Sequence, residues 1–220
     1  MNPLQHYPIL ASLLRPFRRS QQKTCAALVV ALCQASQASS FAIAGQLSCL
    51  TAVQLGSALT RLYRFLRNER FDNWLLTEQL LRLLGGRKQQ VLLALDWTAW
   101  QDRFSVLTAS VCTGTRSVPV AVSACHKRSL ARSQNLWEEA FLRLAVDRLR
   151  ATEVCAVWLC DRGFHRVRWL ERLLELRQQF VVRLHRDVTV HLPERTCLLK
   201  SLTLAPGQRI DLGLVELRAD

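Results

Sequence analysis

"VWLCDRGFH", residues 157 to 165, decides the reading of this chain. It closes an apolar run that starts at Val154 and passes through Cys155, Ala156, Val157, Trp158 and Leu159. Nothing in that run seeks water, and its length suits a strand buried on both faces better than a helix. Yet it ends on Asp161, and Gly163 follows two residues later, where a missing Cβ lets the backbone turn sharply. A carboxylate at the carboxyl end of a buried parallel strand lies where open α/β sheets place their ligands.

Working outward, residues 164 to 179 read as a helix that leads into another strand, "FVVRLHRD" (180–187). On the other side, "NLWEEAFLRLAVDRLR" from Asn135 reads as a helix. Asn135 and Glu138 have the spacing of a capping box, and Trp137, Phe141, Leu144, Ala145 and Leu149 share one side. Upstream again, "VLLALDW" (91–97) is a continuous apolar run that reaches Asp96, while "FSVLTASVC" (104–112) and "SVPVAVSAC" (117–125) are β-rich runs joined by the turn "TGTR". The order is strand, strand, strand, helix, strand, helix, strand, which is the order of an α/β RNase H-like mixed sheet: a three-strand antiparallel meander, then helix, strand, helix, strand. In that arrangement the first and fourth strands are parallel neighbours, about 4.8 Å apart, and Asp96 and Asp161 face one another.

Paired carboxylates are the ligands a hard divalent cation takes. Mg²⁺ uses one or two of them and completes its octahedron with water and phosphate oxygens, and two such ions can clamp the attacking and leaving oxygens of a phosphoryl displacement. Mg²⁺ or Mn²⁺ is therefore the expected cofactor, with Asp96 and Asp161 as metal ligands and catalytic residues. The plain structural alternative is that each aspartate caps its strand or pairs with an arginine, Arg162 being the nearest.

Composition points the same way. Lys plus Arg number 30 against 17 for Asp plus Glu, a formal charge of +13 with a pI near 10.3. Arginine's fork matches phosphate, so a nucleic acid is the expected partner before an anionic lipid. The eight cysteines form no CxxC pair, and several fall in apolar strand-like runs, as expected of a reduced, cytoplasmic, nucleoid-associated protein. Residues 18 to 36, "RRSQQKTCAALVVALCQAS", have a signal-peptide flavour, but the apolar run starts late and opens on Cys25. No stretch reaches the roughly 18 apolar residues of a membrane span, so no membrane partner is expected.

Residues 1 to 85 read as a helical DNA-binding region. Gln21 to Gln34 is rich in Ala, Leu and Val, and "FAIAGQLSCLTAVQLGSALTRLYRFLRNERF" has apolar residues at helical spacing with Gly45 and Gly56 as turn points. At its end Arg61, Arg64, Arg67 and Arg70 recur every third residue above a stripe of Leu59, Leu62, Phe65 and Leu66. Acidic partners at i+4 are nearly absent, so Arg61, Arg64 and Arg67, together with Arg162, are the expected phosphate contacts. "LLGGRKQQ" (83–90) reads as a boundary loop, residues 86–187 as the catalytic core, and 188–220 as the start of a β-rich insertion.

These residues also carry a resemblance. "ALDWTAW" (94–100), "TRSVPVAVSACHK" (115–127), "SQNLWEEAFLRLAVDRL" (133–149) and "LCDRGFHRVRWLERLLELRQQFVVRLH" (159–185) resemble the catalytic domain of DDE transposases of the insertion-sequence-four family. Asp96, Thr98 and Trp100 match that family's first aspartate motif, and Asp161, Arg162, Gly163 and Phe164 its second. The resemblance implies metal-dependent phosphoryl transfer at transposon ends, in double-stranded DNA, followed by attack on target DNA within a synaptic complex that a homodimer would build. It also implies a third ligand, a glutamate in a motif that starts with tyrosine, yet the only tyrosines are Tyr7 and Tyr63. The chain is thus expected to be a transposase that stops before that residue. Glu171, Glu175 and Glu216 are poor substitutes, the first two lying among alternating helix charges. The rival expectation is a non-catalytic DNA-binding relic or regulatory fragment; a structure-specific nuclease would need a substitute ligand. Further candidates are His165, for phosphate or for helix capping; the basic turn His126, Lys127 and Arg128; and Trp97 and Trp100, for base stacking or for packing.

Overall fold

A computed structural model describes residues 3–86, 90–130, 133–213 and 215–218. The chain divides into two compact units, Met1–Leu83 and Leu84–Asp220.

The first unit is helical. Its elements are α1 (Pro3–His6), α2 (Pro8–Leu14), α3 (Arg19–Gln34), α4 (Ser40–Thr51), α5 (Leu55–Leu66) and α6 (Asn73–Gly85), the last of which contains the point of division. The core of α3, α4 and α5 is built on small residues: Ala27, Ala31, Ala44 and Ala58 are buried with Leu28, Leu47 and Leu62. Alanines at the crossing let the helices approach closely while keeping helix propensity high. Ser39 caps α4 by accepting a hydrogen bond from the Ala42 N–H at 3.2 Å. The α4–α5 turn differs from expectation. Gly45 and Gly56 lie inside the helices, and α4 ends instead at Ala52, in the left-handed conformation at φ 51°. The apolar stripe of α5 is Ala58 and Leu62 with Leu59 and Phe65 half-buried, whereas Leu66 is exposed. A second cluster places Leu14, Phe17, Cys25 and Ala26 together, with Phe17 stacked on Phe71 at 4.4 Å.

The second unit is mixed α/β. Its strands are β1 (Gln90–Trp100), β2 (Phe104–Thr113), β3 (Arg116–His126), β4 (Cys155–Cys160) and β5 (Gln179–Val182), in the spatial order β3-β2-β1-β4-β5. The pairs β1–β2 and β2–β3 are antiparallel, β1–β4 and β4–β5 parallel. The β2–β3 turn is made by Gly114 at φ 68°, which a residue with a Cβ rarely adopts. After β3 come the short α7 (Lys127–Leu130) and the long α8 (Gln134–Thr152); after β4 come a 3₁₀ turn (Arg162–Phe164) and α9 (Val167–Glu175).

Three expectations need correcting here. The strand ending at Cys160 is not buried on both faces: Ala156, Trp158 and Cys160 are buried, while Val157 and Leu159 are only half-buried and Cys155 is exposed. The buried face is the one that meets α8 and the end of α9, where the Trp158 indole donates to Gln178 Oε1 at 3.2 Å. On the opposite face Leu92, Val122 and Val181 are exposed. Second, Asn135 does not cap α8. Ser133 holds the cap position, and the buried stripe runs through Glu138, Phe141, Leu142, Ala145, Val146 and Leu149, leaving Leu144 exposed. Trp137 lies at the sheet margin, donating to Ser123 Oγ at 3.0 Å. Third, the helix expected over 164–179 is shorter, because the chain first makes a 3₁₀ turn.

Beyond β5, the strands β6 (Thr189–His191), β7 (Thr196–Leu198) and β8 (Glu216–Arg218) form a small antiparallel sheet in the order β7-β6-β8. Much less of residues 188–218 is extended than their alternation suggests. Among the described residues no single helix is long and apolar enough to cross a membrane.

The phase of α8 is directly testable. Leu142 is fully buried and Leu144 is not, so Leu142→Ala should cost about 2–5 kcal/mol and Leu144→Ala about 1 kcal/mol or less, read from chemical denaturation of the two variants.

Candidate functional site

In the β1–β4 ladder the last paired residues are Leu95 and Cys160. The next residue on each side is Asp96 and Asp161. Asp161 keeps an extended backbone (φ −78°, ψ −175°) before the chain turns, so the alternation of side chains carries through it. Asp96 and Asp161 therefore stand at the same level of two adjacent parallel strands, with backbones about 4.8 Å apart. Both are exposed. Oδ1 of Asp161 accepts the Gly163 N–H at 2.8 Å, which turns the carboxylate within its own loop. A Cβ at position 163 would lie 3.1 Å from that oxygen, so the glycine is there to allow the approach. Among the described residues neither aspartate has an ion-pair partner, and Arg162, exposed beside Asp161, does not neutralise it. Two hard oxygen donors side by side with no cationic side chain between them suit a divalent ion. Among the described residues, however, no group of three or more His, Cys, Asp or Glu side chains comes together.

The residues around the pair have structural work. The His165 ring takes Nδ1 to the Arg162 carbonyl and closes the 3₁₀ turn. His126 Nδ1 accepts the Arg128 N–H at 3.2 Å, and Lys127 pairs with Asp102 at 3.0 Å. Trp97 packs and bonds on the helix-covered face, whereas Trp100 is exposed beside Phe104. Glu171 is exposed, and Glu175 pairs with Arg172. Glu216 lies in β8, its side chain outside the described residues. Cys160, one residue before Asp161, is held as a neutral thiol, because burial pushes it up to about 12. It is neither a thiolate ligand nor a nucleophile at neutral pH.

Directly behind Asp96 lies Glu138, which the sequence pattern assigns to a helix cap and not to the interior. Glu138 is 0% exposed. Its Oε1 accepts the Trp97 indole N–H at 2.8 Å and the Gln134 amide at 2.9 Å, and its Oε2 pairs with Arg166, whose guanidinium also reaches Asn135. The neighbouring Glu139 pairs with Arg168 at 2.9 Å and Arg172 at 3.6 Å. The available signal was a glutamate at helical spacing from Phe141, Leu142 and Ala145, which places an acid inside an apolar stripe.

In the first unit, Arg61 and Arg64 lie on α5 and Arg67 at its C-cap, all exposed, and none has an ion-pair partner among the described residues. Arg70 lies beyond the helix, its carbonyl accepting from Gln21 at 3.0 Å. The three arginines and Tyr63 line a cavity of about 910 Å³ whose other wall includes Ser20, Gln21 and Thr24 of α3. The chain has no acidic residue before Glu69, so nothing within these helices offsets the charge. Unpaired guanidinium groups along a groove suit an anionic group.

No protein-family model and no curated protein matches the chain.

The state of Cys160 gives a measurable consequence. On brief alkylation at pH 8, Cys33, Cys49 and Cys155, all exposed, should be modified, while buried Cys160 and Cys25, the latter raised to about 11, should stay free until the protein is unfolded. Peptide mass spectrometry reads the difference.

Proposed function

We propose that the chain is a DNA-processing protein of the DDE transposase kind, with an RNase H-like core in which Asp96 and Asp161 hold a divalent cation, Mg²⁺ or Mn²⁺. The observation that carries this reading is the placement of two unpaired carboxylates one residue past Leu95 and Cys160, the last partners of adjacent parallel strands in a β3-β2-β1-β4-β5 sheet. The donor set fits one hard ion. A second ion has no carboxylate of its own among the described residues. When bound, such a cation neutralises phosphate charge and activates an attacking oxygen for phosphodiester cleavage. The chain's own contributions are then distinct: Asp96 and Asp161 supply the oxygens, the Gly163 N–H orients the Asp161 carboxylate, and Arg162 offers an unpaired cation to a neighbouring phosphate. Arg61, Arg64 and Arg67 bind duplex DNA through its backbone.

The unpaired, exposed Arg61, Arg64 and Arg67 support a second reading, in which the chain occupies transposon ends without cutting them. Binding rests on distributed arginines and survives the loss of a metal ligand; strand cleavage does not.

Neutralising Arg61, Arg64 and Arg67 together should flatten the slope of log affinity against log salt by roughly 0.9 for each phosphate that the protein no longer neutralises, with the fold intact by circular dichroism. A slope equal to that of the unaltered protein would place the DNA surface elsewhere.

The two readings separate on metal and cleavage. Mn²⁺ should raise the thermal midpoint by mass action, and Asp161→Asn should abolish the shift; an unchanged response in the variant would refute the paired site. The purified 220-residue chain should bind duplex DNA yet leave it un-nicked with Mg²⁺ or Mn²⁺. Robust nicking that disappears in Asp96→Asn would overturn the non-cutting reading and call for mutation of Glu171 and Glu216 as substitute ligands.

A further inference from the structure

We infer that Glu138 is a positioning residue for the Asp96–Asp161 pair, a buried carboxylate that ties the segment after one aspartate to the segment after the other at the point where their backbone ladder ends. The inference rests on the metal-site reading above for its functional meaning, and on the hydrogen bonds alone for its structural meaning.

The parallel ladder stops at Leu95 and Cys160. From there β1 continues with β2 alone, and Asp161 leaves the sheet for the 3₁₀ turn. The last pairing of the β1–β4 ladder thus lies one residue before the two aspartates, and no pair of the ladder lies beyond them. Glu138 joins the two segments from behind. Trp97, adjacent to Asp96 and pointing to the opposite face, gives its indole N–H to Oε1; Arg166, at the N-cap of α9 just after the turn that Asp161 opens, gives its guanidinium to Oε2. One carboxylate thus has one oxygen on each side of the site. The polar groups around it are matched as well: Gln134 completes Oε1, and Asn135 takes the other arm of Arg166. A buried charge with this degree of satisfaction adds little net stability compared with an apolar packing of the same volume, but it fixes geometry, because displacing Trp97 takes a donor from the buried carboxylate and displacing Arg166 takes its charge partner. Glu139 provides the contrast. It pairs only with Arg168 and Arg172 among the described residues, so it joins α8 to α9 without reaching β1.

Glu138→Gln keeps the shape and an acceptor for Trp97 while removing the charge that Arg166 meets. In the full chain, amide hydrogen exchange should accelerate by about tenfold or more in residues 97–100 and 161–166 together, with the β1 and β4 amides around Leu93 and Trp158 unchanged. Glu139→Gln should accelerate only the 166–172 side. Mn²⁺ affinity, followed by water-proton relaxation, should fall about 10- to 100-fold in Glu138→Gln. In the double variant Glu138→Gln with Arg166→Met, where both charges of the pair are removed, the midpoint of denaturation should recover while Mn²⁺ affinity and the exchange of residues 97–100 do not. Exchange in Glu138→Gln that is unchanged, or that rises uniformly across the sheet, overturns the inference. So does a Mn²⁺ affinity that returns along with stability in the double variant. If the unaltered protein itself binds no Mn²⁺, the metal-site reading falls, while the exchange pattern still decides whether Glu138 ties the two segments.

Discussion

The parallel pairing of β1 with β4 is the constraint on which the second unit depends. Parallel neighbours cannot be joined by a tight turn; a connection of a dozen residues or more must leave the sheet and return. Here β2, β3 and α8 make up that connection. The meander grows outward from the free edge of β1, and α8 returns the chain across one face to the start of β4. The crossover through α9 then repeats the move for β5. Because both crossovers use the same face, the other face of the sheet keeps Leu92, Val122 and Val181 exposed. The same pairing ends at Leu95 and Cys160, and both aspartates lie one residue beyond it.

Charge is distributed unevenly around this frame. After Asp161 the chain is dense in arginine, but Arg166, Arg168 and Arg172 are spent on Glu138 and Glu139 within the fold. Those on α5 have no such partners, since the chain carries no acid before Glu69. An arginine count therefore says little about a binding surface until the internal pairs are removed. What remains in the first unit is a groove lined by Arg61, Arg64 and Arg67, none of them paired with an acid among the described residues. Near the aspartates the balance differs: among the described residues neither Asp96 nor Asp161 has an ion-pair partner, and both are exposed.

Much of this was legible in the chain, for identifiable reasons. The five strands of the main sheet come from apolar runs whose ends are marked by Gly114, by Asp161 and Gly163, and by the polar segment before Gln179, so the hydrophobic pattern and the turn chemistry agree. The position of Asp161 just past the end of β4 follows from that agreement; Asp96 does not end its strand as the apolar run suggested, because β1 continues to Trp100 by pairing with β2. The phase of α8 did not follow. The sequence reading makes Glu138 a capping-box residue and places Trp137 on the apolar side, and the outcome differs because Glu138 has Arg166 and Trp97 as partners 28 and 41 residues away in sequence. Similarly, glycines mark the α4–α5 turn only if local propensity decides it. Packing of Ala44 and Leu47 against Ala58 and Leu62 decides it instead, and Ala52 accepts the left-handed conformation. Long-range pairing is invisible to any window of sequence; it has to be inferred from residues that break a pattern.

Glu138 also bears on register. Strand side chains alternate strictly, so a slip of one residue in β1 would carry Asp96 to the helix-covered face and Trp97 to the open one. Apolar alternation resists such a slip, but at the end of β1 it weakens, since residues 98–100 are all exposed. The bond from Trp97 to a buried, already paired carboxylate restores the discrimination there, because a slipped strand would present Asp96 to Glu138 and place two acids together in the interior. Glu138 is thus attractive to the native register and repulsive to its nearest competitor. The interaction that sets the level of the two aspartates is also the one that excludes the arrangement in which they could not meet.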